Sequence, residues 1–483
     1  MERAALMKGF SMPNTPPQTL RGGLTAAESG PLDRADGGPS PIIHSVQPAP
    51  AQRPLCVQHA GPGDHPSIHY FLLAVFQAPS SAEFQAQLDE PYYEPNNRLV
   101  VKNKGQVVAH VRLVPRAMHF GPFTFPVGFV TELATLPEYR QHGCATELLK
   151  NAERRMIADG AIMGLVRTNM PQFFRQRGWT VCGRHSYSSA GPRDILAYLS
   201  ATRNENSPHV FDPEHLSKNG RQLNIRIWRH VEQAALTRLY AENTPRSFGP
   251  LVRSDSYWRW LITRHGYDRI YVAINGPDKF DLDGPLAPIV GYAAMKEGRI
   301  VELMTSGDHR NAAPQLLARA CGDAIERDFH HIRLDAPPND PLHQTIVMAG
   351  GKQYCHEAES GDVFMVRLFD PLAFVGILCE QMHFRAKAAD LSRPCELGLL
   401  LNDEKHRFVI SRRSVKFVPG KLGRSYLSCN TSQLTQLLLG HLNVKEAVQS
   451  GRLEASTGVA AETGAVLFPR LPLWRPPLDD LPA

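Results

Sequence analysis

An apolar stretch, Val127 to Leu136, runs through Pro137-Glu138-Tyr139-Arg140-Gln141-His142-Gly143-Cys144-Ala145 straight into a helix-patterned segment, and no other part of the chain restricts the fold as much. Leu148, Leu149, Ala152, Met156 and Ile157 recur at helical spacing and predict a helix over Thr146–Asp159. Thr146 suits the first turn and Gly160 the stop. A loop that enters a helix in this way turns several backbone N–H groups toward an anion, where the helix dipole also favours negative charge. Gly143 has no Cβ to keep a phosphate away, Ala145 keeps the second approach narrow, and Arg140 can add a charge-assisted hydrogen bond. Cys144, inside this loop, reads as a small filler rather than a nucleophile.

Two spaced motifs carry a resemblance. Arg140-Gln141-His142-Gly143-Cys144-Ala145, preceded by Leu133-Ala134-Thr135-Leu136-Pro137-Glu138-Tyr139, resembles the Arg/Gln-x-x-Gly-x-Gly/Ala pyrophosphate loop of the GCN5-related N-acetyltransferases (GNAT). Phe173-Phe174-Arg175-Gln176-Arg177-Gly178-Trp179 resembles the superfamily's later Phe-Tyr-x-x-x-Gly-Phe/Trp motif. The resemblance implies an α/β GNAT fold, a mixed central sheet with flanking helices, over about residues 56–200. It implies acetyl-CoA as acyl donor, held at Arg140, Gln141, His142, Gly143, Cys144 and Ala145, with the thioester beside the backbone of Leu133, Ala134 and Thr135. The tyrosine that serves these enzymes as general acid falls at Phe174, which has no proton to give. His185 and Tyr187, on the next expected strand, are alternative donors.

At 483 residues the chain exceeds one ordinary domain, and a soft prior of about three domains follows. A formal net charge of +6, with 53 basic and 47 acidic residues interspersed, argues against a nucleic-acid partner. No apolar run reaches the ~18 residues of a membrane span, and Arg3 and Lys8 are not followed by the apolar core of a secretory signal. The eight cysteines form no Cys-x-x-Cys pair, so neither a metal site nor a disulfide framework is expected, and a cytoplasmic location is the default.

Composition divides the chain. Residues 1–55 read as a flexible tail, about a third Pro or Gly between Met12 and Pro54, and Met7 or Met12 is an alternative start. A polar linker is expected at 201–220. Residues 221–369 order their strands and helices like a second GNAT unit, but Thr305-Ser306-Gly307-Asp308-His309-Arg310-Asn311 lacks the phosphate-loop spacing. Residues 370–483 form an α+β unit with Leu434-x-x-Leu437-Leu438-x-Gly440 and a late Leu467-Phe468-Pro469. This series of units resembles the enhanced intracellular survival (Eis) family of N-acetyltransferases, whose third part is similar to a sterol carrier protein.

That resemblance implies direct transfer of an acetyl group to a primary amine, of a small molecule or a lysine, in a ternary complex. It implies a homo-oligomer as well, although the chain's periodicity identifies no self-association surface. It points to the carboxylate of Ala483 as general base, with Glu132 on the central strand as the alternative. Asp89-Glu90-Pro91-Tyr92-Tyr93-Glu94 offers carboxylates and rings to a cationic amine. Two other classes remain open: a non-catalytic acyl-CoA sensor, motivated by Phe174, and a hydrophobic-ligand carrier, motivated by the terminal unit.

Overall fold

The computed structural model describes residues 56–205, 222–277, 287–391 and 395–481; segment 1–55, most of the expected linker, and Ala483 lie outside them. The first stretch contains β1 (Val57–His59), α1 (His65–Phe76), α2 (Ser81–Leu88), β2 (Arg98–Asn103), β3 (Gln106–Phe120), β4 (Phe123–Thr135), α3 (Cys144–Ala158), β5 (Met163–Thr168), α4 (Pro171–Arg175), β6 (Thr180–Val181) and β7 (His185–Ala190). Local chemistry sets these limits. Ser80 and Glu83 form a reciprocal capping box that starts α2. Gly143, at φ 83°, turns the loop into α3, which buries Leu148, Leu149, Ala152 and Met156 in one core with Val111 and Val130 of the sheet.

The second stretch contains α5 (Pro192–Glu205), β8 (Asn224–Ile227), α6 (Gln233–Asn243), β9 (Phe248–Leu251), α7 (Asp255–Thr263), β10 (Arg269–Ile274), β11 (Ile289–Lys296), β12 (Arg299–Thr305), α8 (Ala312–Glu326), β13 (Ile332–Asp335), α9 (Pro341–Met348), β14 (Lys352–His356), β15 (Ala358–Glu359) and β16 (Asp362–Leu368). The third contains α10 (Pro371–Ala388), β17 (Cys395–Leu401), β18 (Glu404–Ile410), β19 (Val415–Pro419), β20 (Tyr426–Cys429), α11 (Thr431–Leu438), α12 (Val444–Gln449), β21 (Glu454–Ala455) and α13 (Gly458–Leu467).

The first sheet runs β1-β2-β3-β4-β5-β16-β15, and the second runs β14-β7-β13-β12-β11-β10-β8. In each, an antiparallel series ends in one parallel pair, β4–β5 or β12–β13, joined across a long helix. Strands are exchanged between them. β7, which continues the first segment, is sandwiched between β13 and β14, while β16, from the second, pairs with β5 along its whole length. Neither sheet is complete without the other segment's strand.

The third sheet, β19-β18-β17-β20-β21, shares a core with the first. Met118, Phe120, Phe125 and Val127 of the long β3–β4 hairpin pack with Phe374 and Leu378 of α10 and with Leu397, Phe408 and Leu427. This packing explains why β4 begins ahead of the apolar stretch at Val127 and why β3 continues to Phe120 to meet it.

The last described residues leave α13 and cross back to the other two sheets. Leu471 N donates to Gly440 O (3.1 Å) and Trp474 N to Phe248 O (2.9 Å). Gly249 and Gly440 both have positive φ, and a Cβ on either would collide with this tail, at the Trp474 carbonyl and at Leu471. Gly249→Val therefore combines backbone strain with a clash against main chain. It is expected to lower stability by about 2–4 kcal/mol and to expose the 470–481 segment to limited proteolysis, as checked by denaturant titration and by mass spectrometry of the fragments.

Candidate active site

The β4–β5 pairing stops early. Val127, Gly128 and Phe129 oppose Met163, Gly164 and Leu165, and beyond them the two strands diverge. The divergence coincides with a break in the β3–β4 ladder. His110 opposes Ala134 and Arg112 opposes Thr131, so the extra residue of a bulge lies between them at Glu132–Leu133. Glu132 takes φ 56°, a left-handed conformation that a non-glycine residue adopts only when its surroundings over-determine it.

The surroundings of Glu132 are ionic. Arg98, wholly buried, donates from Nη1 to Glu132 Oε2 (2.5 Å), and Arg112 Nη1 lies 3.8 Å from Oε1. Burial alone would raise the Glu132 pKa, but the charges of Arg98 and Arg112 outweigh it and hold the carboxyl below the ordinary glutamate range. His110 completes the arrangement. Its Nδ1 lies 3.2 Å from the Glu132 carbonyl, and its Nε2 lies 3.2 Å from Arg98 Nη1. Arg98 can only donate, so Nε2 accepts, Nδ1 carries the proton, and the ring is neutral. Burial is the main cause that lowers the His110 pKa to about 3.

The loop from β4 to α3 is open. The N-cap Gly143 gives no side-chain cap, leaving the first N–H groups of α3 without that partner. A Cβ built on Gly143 meets nothing within 4 Å. Arg140, Gln141 and His142 are exposed. Arg140 Nε lies 3.4 Å from the Thr135 carbonyl, and His142 Nδ1 lies 2.8 Å from the Arg140 carbonyl. Thr135 Oγ1 is buried without a hydrogen-bond partner. Leu133, Ala134 and Thr135 lie past the bulge at the end of β4, leading into this loop, so the cofactor residues expected from sequence are contiguous in space. Cys144 is almost fully buried and its thiol pKa is raised by desolvation, which suits a packing role.

Phe174 is core. It packs edge-on against Phe173 and Trp179, with ring centroids 5.1 and 5.6 Å apart. Of the two alternative donors, His185 lines a cavity, where its Nδ1 is 3.0 Å from Glu359 and its ring stacks on Phe364. Tyr187 is instead stacked on Tyr354 and covered by the Arg333 guanidinium, 3.6 Å from the ring centroid.

Two adjoining cavities, of about 590 and 420 Å³, share Phe129, Arg167, Arg475, Asp480 and Leu481 as lining. The larger also holds Glu132, Glu90, Arg112 and Arg116 from the first segment, and Tyr257 and Trp260 from α7. The acidic and aromatic segment 89–94 does reach this cavity through Glu90, but Glu90 and the two tyrosine rings are already occupied by arginines. Glu90 bonds to Arg112 (2.7 Å) and to Arg116. Arg98 and Arg112 lie over the Tyr93 ring, and Arg116 lies over Tyr92. The tail residues 475–481 and α7 were not singled out from sequence. The Arg475 and Asp479-Asp480 charges in a Pro- and Leu-rich terminus were the available signal.

Residues 57–182 match the acetyltransferase (GNAT) domain family, so the chain carries a GNAT acetyltransferase domain. No curated protein sequence matches the chain. Among solved structures, it resembles a GCN5-related N-acetyltransferase from Kribbella flavida at TM-score 0.60 and 16% identity, over 87% of this chain and 97% of that one. It resembles another from Anabaena variabilis at TM-score 0.62 and 14% identity, over 87% and 99%. Eis1 from Mycobacterium abscessus aligns at TM-score 0.56 and 15% identity, over 86% and 97%. At these identities the likeness is one of fold; with the domain match, it supports an acyltransferase enzyme. No helix among the described residues is long and apolar enough to cross a membrane.

The neutral buried His110 has a measurable consequence. An unfolded histidine protonates near ~6.5, whereas the folded one resists until about 3. Between these values the unfolded state binds the extra proton, so its contribution to stability is complete above ~6.5 and is lost as pH falls. Denaturant titrations from pH 7 to 4.5 are expected to show a loss of up to about 1.4 kcal/mol per pH unit from this group, and His110→Gln is expected to remove that part of the slope.

Proposed function

We propose that the protein is an acetyl-CoA-dependent N-acetyltransferase that acts on a primary amine by direct transfer in a ternary complex. The observation that carries this is the uncapped N-terminus of α3, open at Gly143, beside the point where β4 and β5 separate. In this role the N–H groups of Gln141 to Ala145 and the Arg140 side chain hold the donor's pyrophosphate. Leu133, Ala134 and Thr135 border its pantetheine arm, and the bulge at Glu132–Leu133 supplies N–H groups to polarise the thioester carbonyl.

The amine enters through the larger cavity, whose lining includes Thr131 and Glu132 of β4. Its nitrogen, once deprotonated, attacks the thioester carbon, the C–S bond breaks, the CoA thiolate departs, and the amide nitrogen releases its second proton to solvent. Phe174 has no acidic proton, so the thiolate leaves without help from that position; a thiol pKa near ~8.5 makes this tolerable at neutral pH. Glu132, kept ionised by Arg98 and Arg112, receives the amine's proton through water, at some cost in basicity because the same arginines lower its pKa. The expected role of Ala483 falls on a residue outside the described ones.

Residues 221–369 are proposed as a second, degenerate GNAT-like unit, supported by the repeated strand order and by a second ladder irregularity at Ala294/Met295. For the third unit, the proposed kinship is to sterol carrier proteins. Leu397, Leu399, Phe408, Ile410 and Leu427 are buried in its packed core, which favours an architectural role over carriage of a lipid.

Calorimetric titration with acetyl-CoA tests the donor site. Wild-type protein is expected to bind, and Gly143→Glu is expected to lose at least a hundredfold in affinity while keeping its circular dichroism spectrum, because its carboxylate would occupy the space of the anion. Unchanged affinity in that variant would contradict the assignment. Release of free thiol with a primary amine, measured on the wild-type protein, separates a transferase from an acyl-CoA sensor.

A further inference from the structure

The two adjoining cavities are unusually rich in arginine for a site expected to receive a cationic amine. The larger is lined by five carboxylates and five arginines; the smaller is lined by five arginines against three carboxylates. The pairing matters more than the totals. Glu90 is held by Arg112 and Arg116, Glu132 by Arg98 and Arg112, and Asp479 by Arg253. Asp480 is held by Arg475, Asp335 by Arg299 and Arg333, and Glu359 by Arg333. Glu83, the remaining carboxylate, accepts from the Ser80 N–H of its own capping box (2.6 Å). Apart from Glu83, every carboxylate that lines these cavities already has an arginine partner, so an ammonium group that takes any of the others leaves a guanidinium unpaired, at a cost.

The opposite charge finds ready donors. Arg167 lies two residues beyond Leu165, the last β5 position paired with β4, and lines both cavities. Its Nε bonds Asp362 at 3.0 Å and its guanidinium lies over the Phe364 ring, 5.8 Å from the centroid; its two terminal nitrogens have no hydrogen-bond partner among the described residues, and its side chain is 47% exposed. Arg475, also shared by both cavities, lies over the Phe129 ring at 4.4 Å and bonds Asp480 through Nη2, leaving Nη1 without a hydrogen bond among the described residues. Two guanidinium groups with spare donors at the junction of the cavities suit the fork geometry of an oxyanion. Phe129, Trp260 and Leu251 add apolar lining to the larger cavity.

Taking the chain as the N-acetyltransferase proposed above, we infer that its acceptor is an amine that also carries an oxyanionic group, a carboxylate or a phosphate, engaged by Arg167 and Arg475 at the junction of the two cavities. Polycationic amines are then poor acceptors.

Probes built on one six-carbon chain test this: 6-aminohexanoate and 6-aminohexyl phosphate against 1,6-diaminohexane, each titrated calorimetrically into the full chain saturated with CoA, with free-thiol release measured in parallel on acetyl-CoA. The oxyanionic probes are expected to bind at least tenfold more tightly than the diamine, with the preferred member of the two identifying the anion, and Arg167→Met is expected to bring the ratio toward one. A diamine that binds as well as either anion, absence of binding by all three probes at millimolar concentration, or an unchanged ratio in Arg167→Met would overturn the inference. Acetyl-CoA titration keeps the two levels apart: failure to bind acetyl-CoA counts against the transferase assignment itself, whereas binding of acetyl-CoA without the expected anion preference counts against this inference alone.

Discussion

The fully buried guanidinium of Arg253 joins the parts of the molecule on which the cavities depend. It forms a two-pronged pair with Glu302 of β12 (3.0 and 2.6 Å) and another with Asp479 of the terminal tail (3.0 and 2.9 Å). Tyr292 donates to the same Glu302 and Tyr257 to the same Asp479. A buried arginine is tolerable only with its charge and hydrogen-bonding capacity met, and removing one member of such a group typically costs about 3–5 kcal/mol. Through this cluster the tail is fixed to the second sheet. Arg475, Asp480 and Leu481, its neighbours in sequence, are thereby held at the boundary of both cavities. The strand exchange of β7 and β16 acts in the same sense, because it prevents the first two segments from separating into independent domains.

The first segment was readable because its signals are local. Ser81–Leu88 has its capping box in sequence, Arg98 to Gln106 has a turn between alternating strands, and the α3 helix has its apolar stripe. The phosphate loop was legible for the same reason: its function lies in backbone N–H groups and one glycine, all within a few residues. Long-range packing was not legible. Pro115 and Pro126 lack an N–H and read as strand ends, yet both lie within the β3–β4 ladder, since the hairpin is held by the apolar face of the third unit. Nor does periodicity report that β7 and β16 pair outside their own segments.

The chemistry of the acceptor side was less legible still. Glu132 was identified as a candidate base from its position on the central strand, but its ion pairs come from Arg98 and Arg112, twenty or more residues upstream, and its φ from the partner register of β3. The same holds for Asp89–Glu94. Its carboxylates and rings suggest a receptor for a cation, and cations do occupy it, but they are the chain's own Arg98, Arg112 and Arg116. A sequence reveals which charges are available; which are already paired with one another depends on the fold.

The central claim is that the donor binds along the end of β4 and the loop into α3. Hydrogen–deuterium exchange of the full chain with and without acetyl-CoA, resolved by mass spectrometry, tests it most directly. Slowed exchange concentrated in peptides covering Leu133 to Thr146, with the corresponding loop of the second unit at 305–312 unchanged, is the predicted result. Protection that appears only in the second unit, or none across Leu133 to Thr146 at saturating acetyl-CoA, would contradict the account.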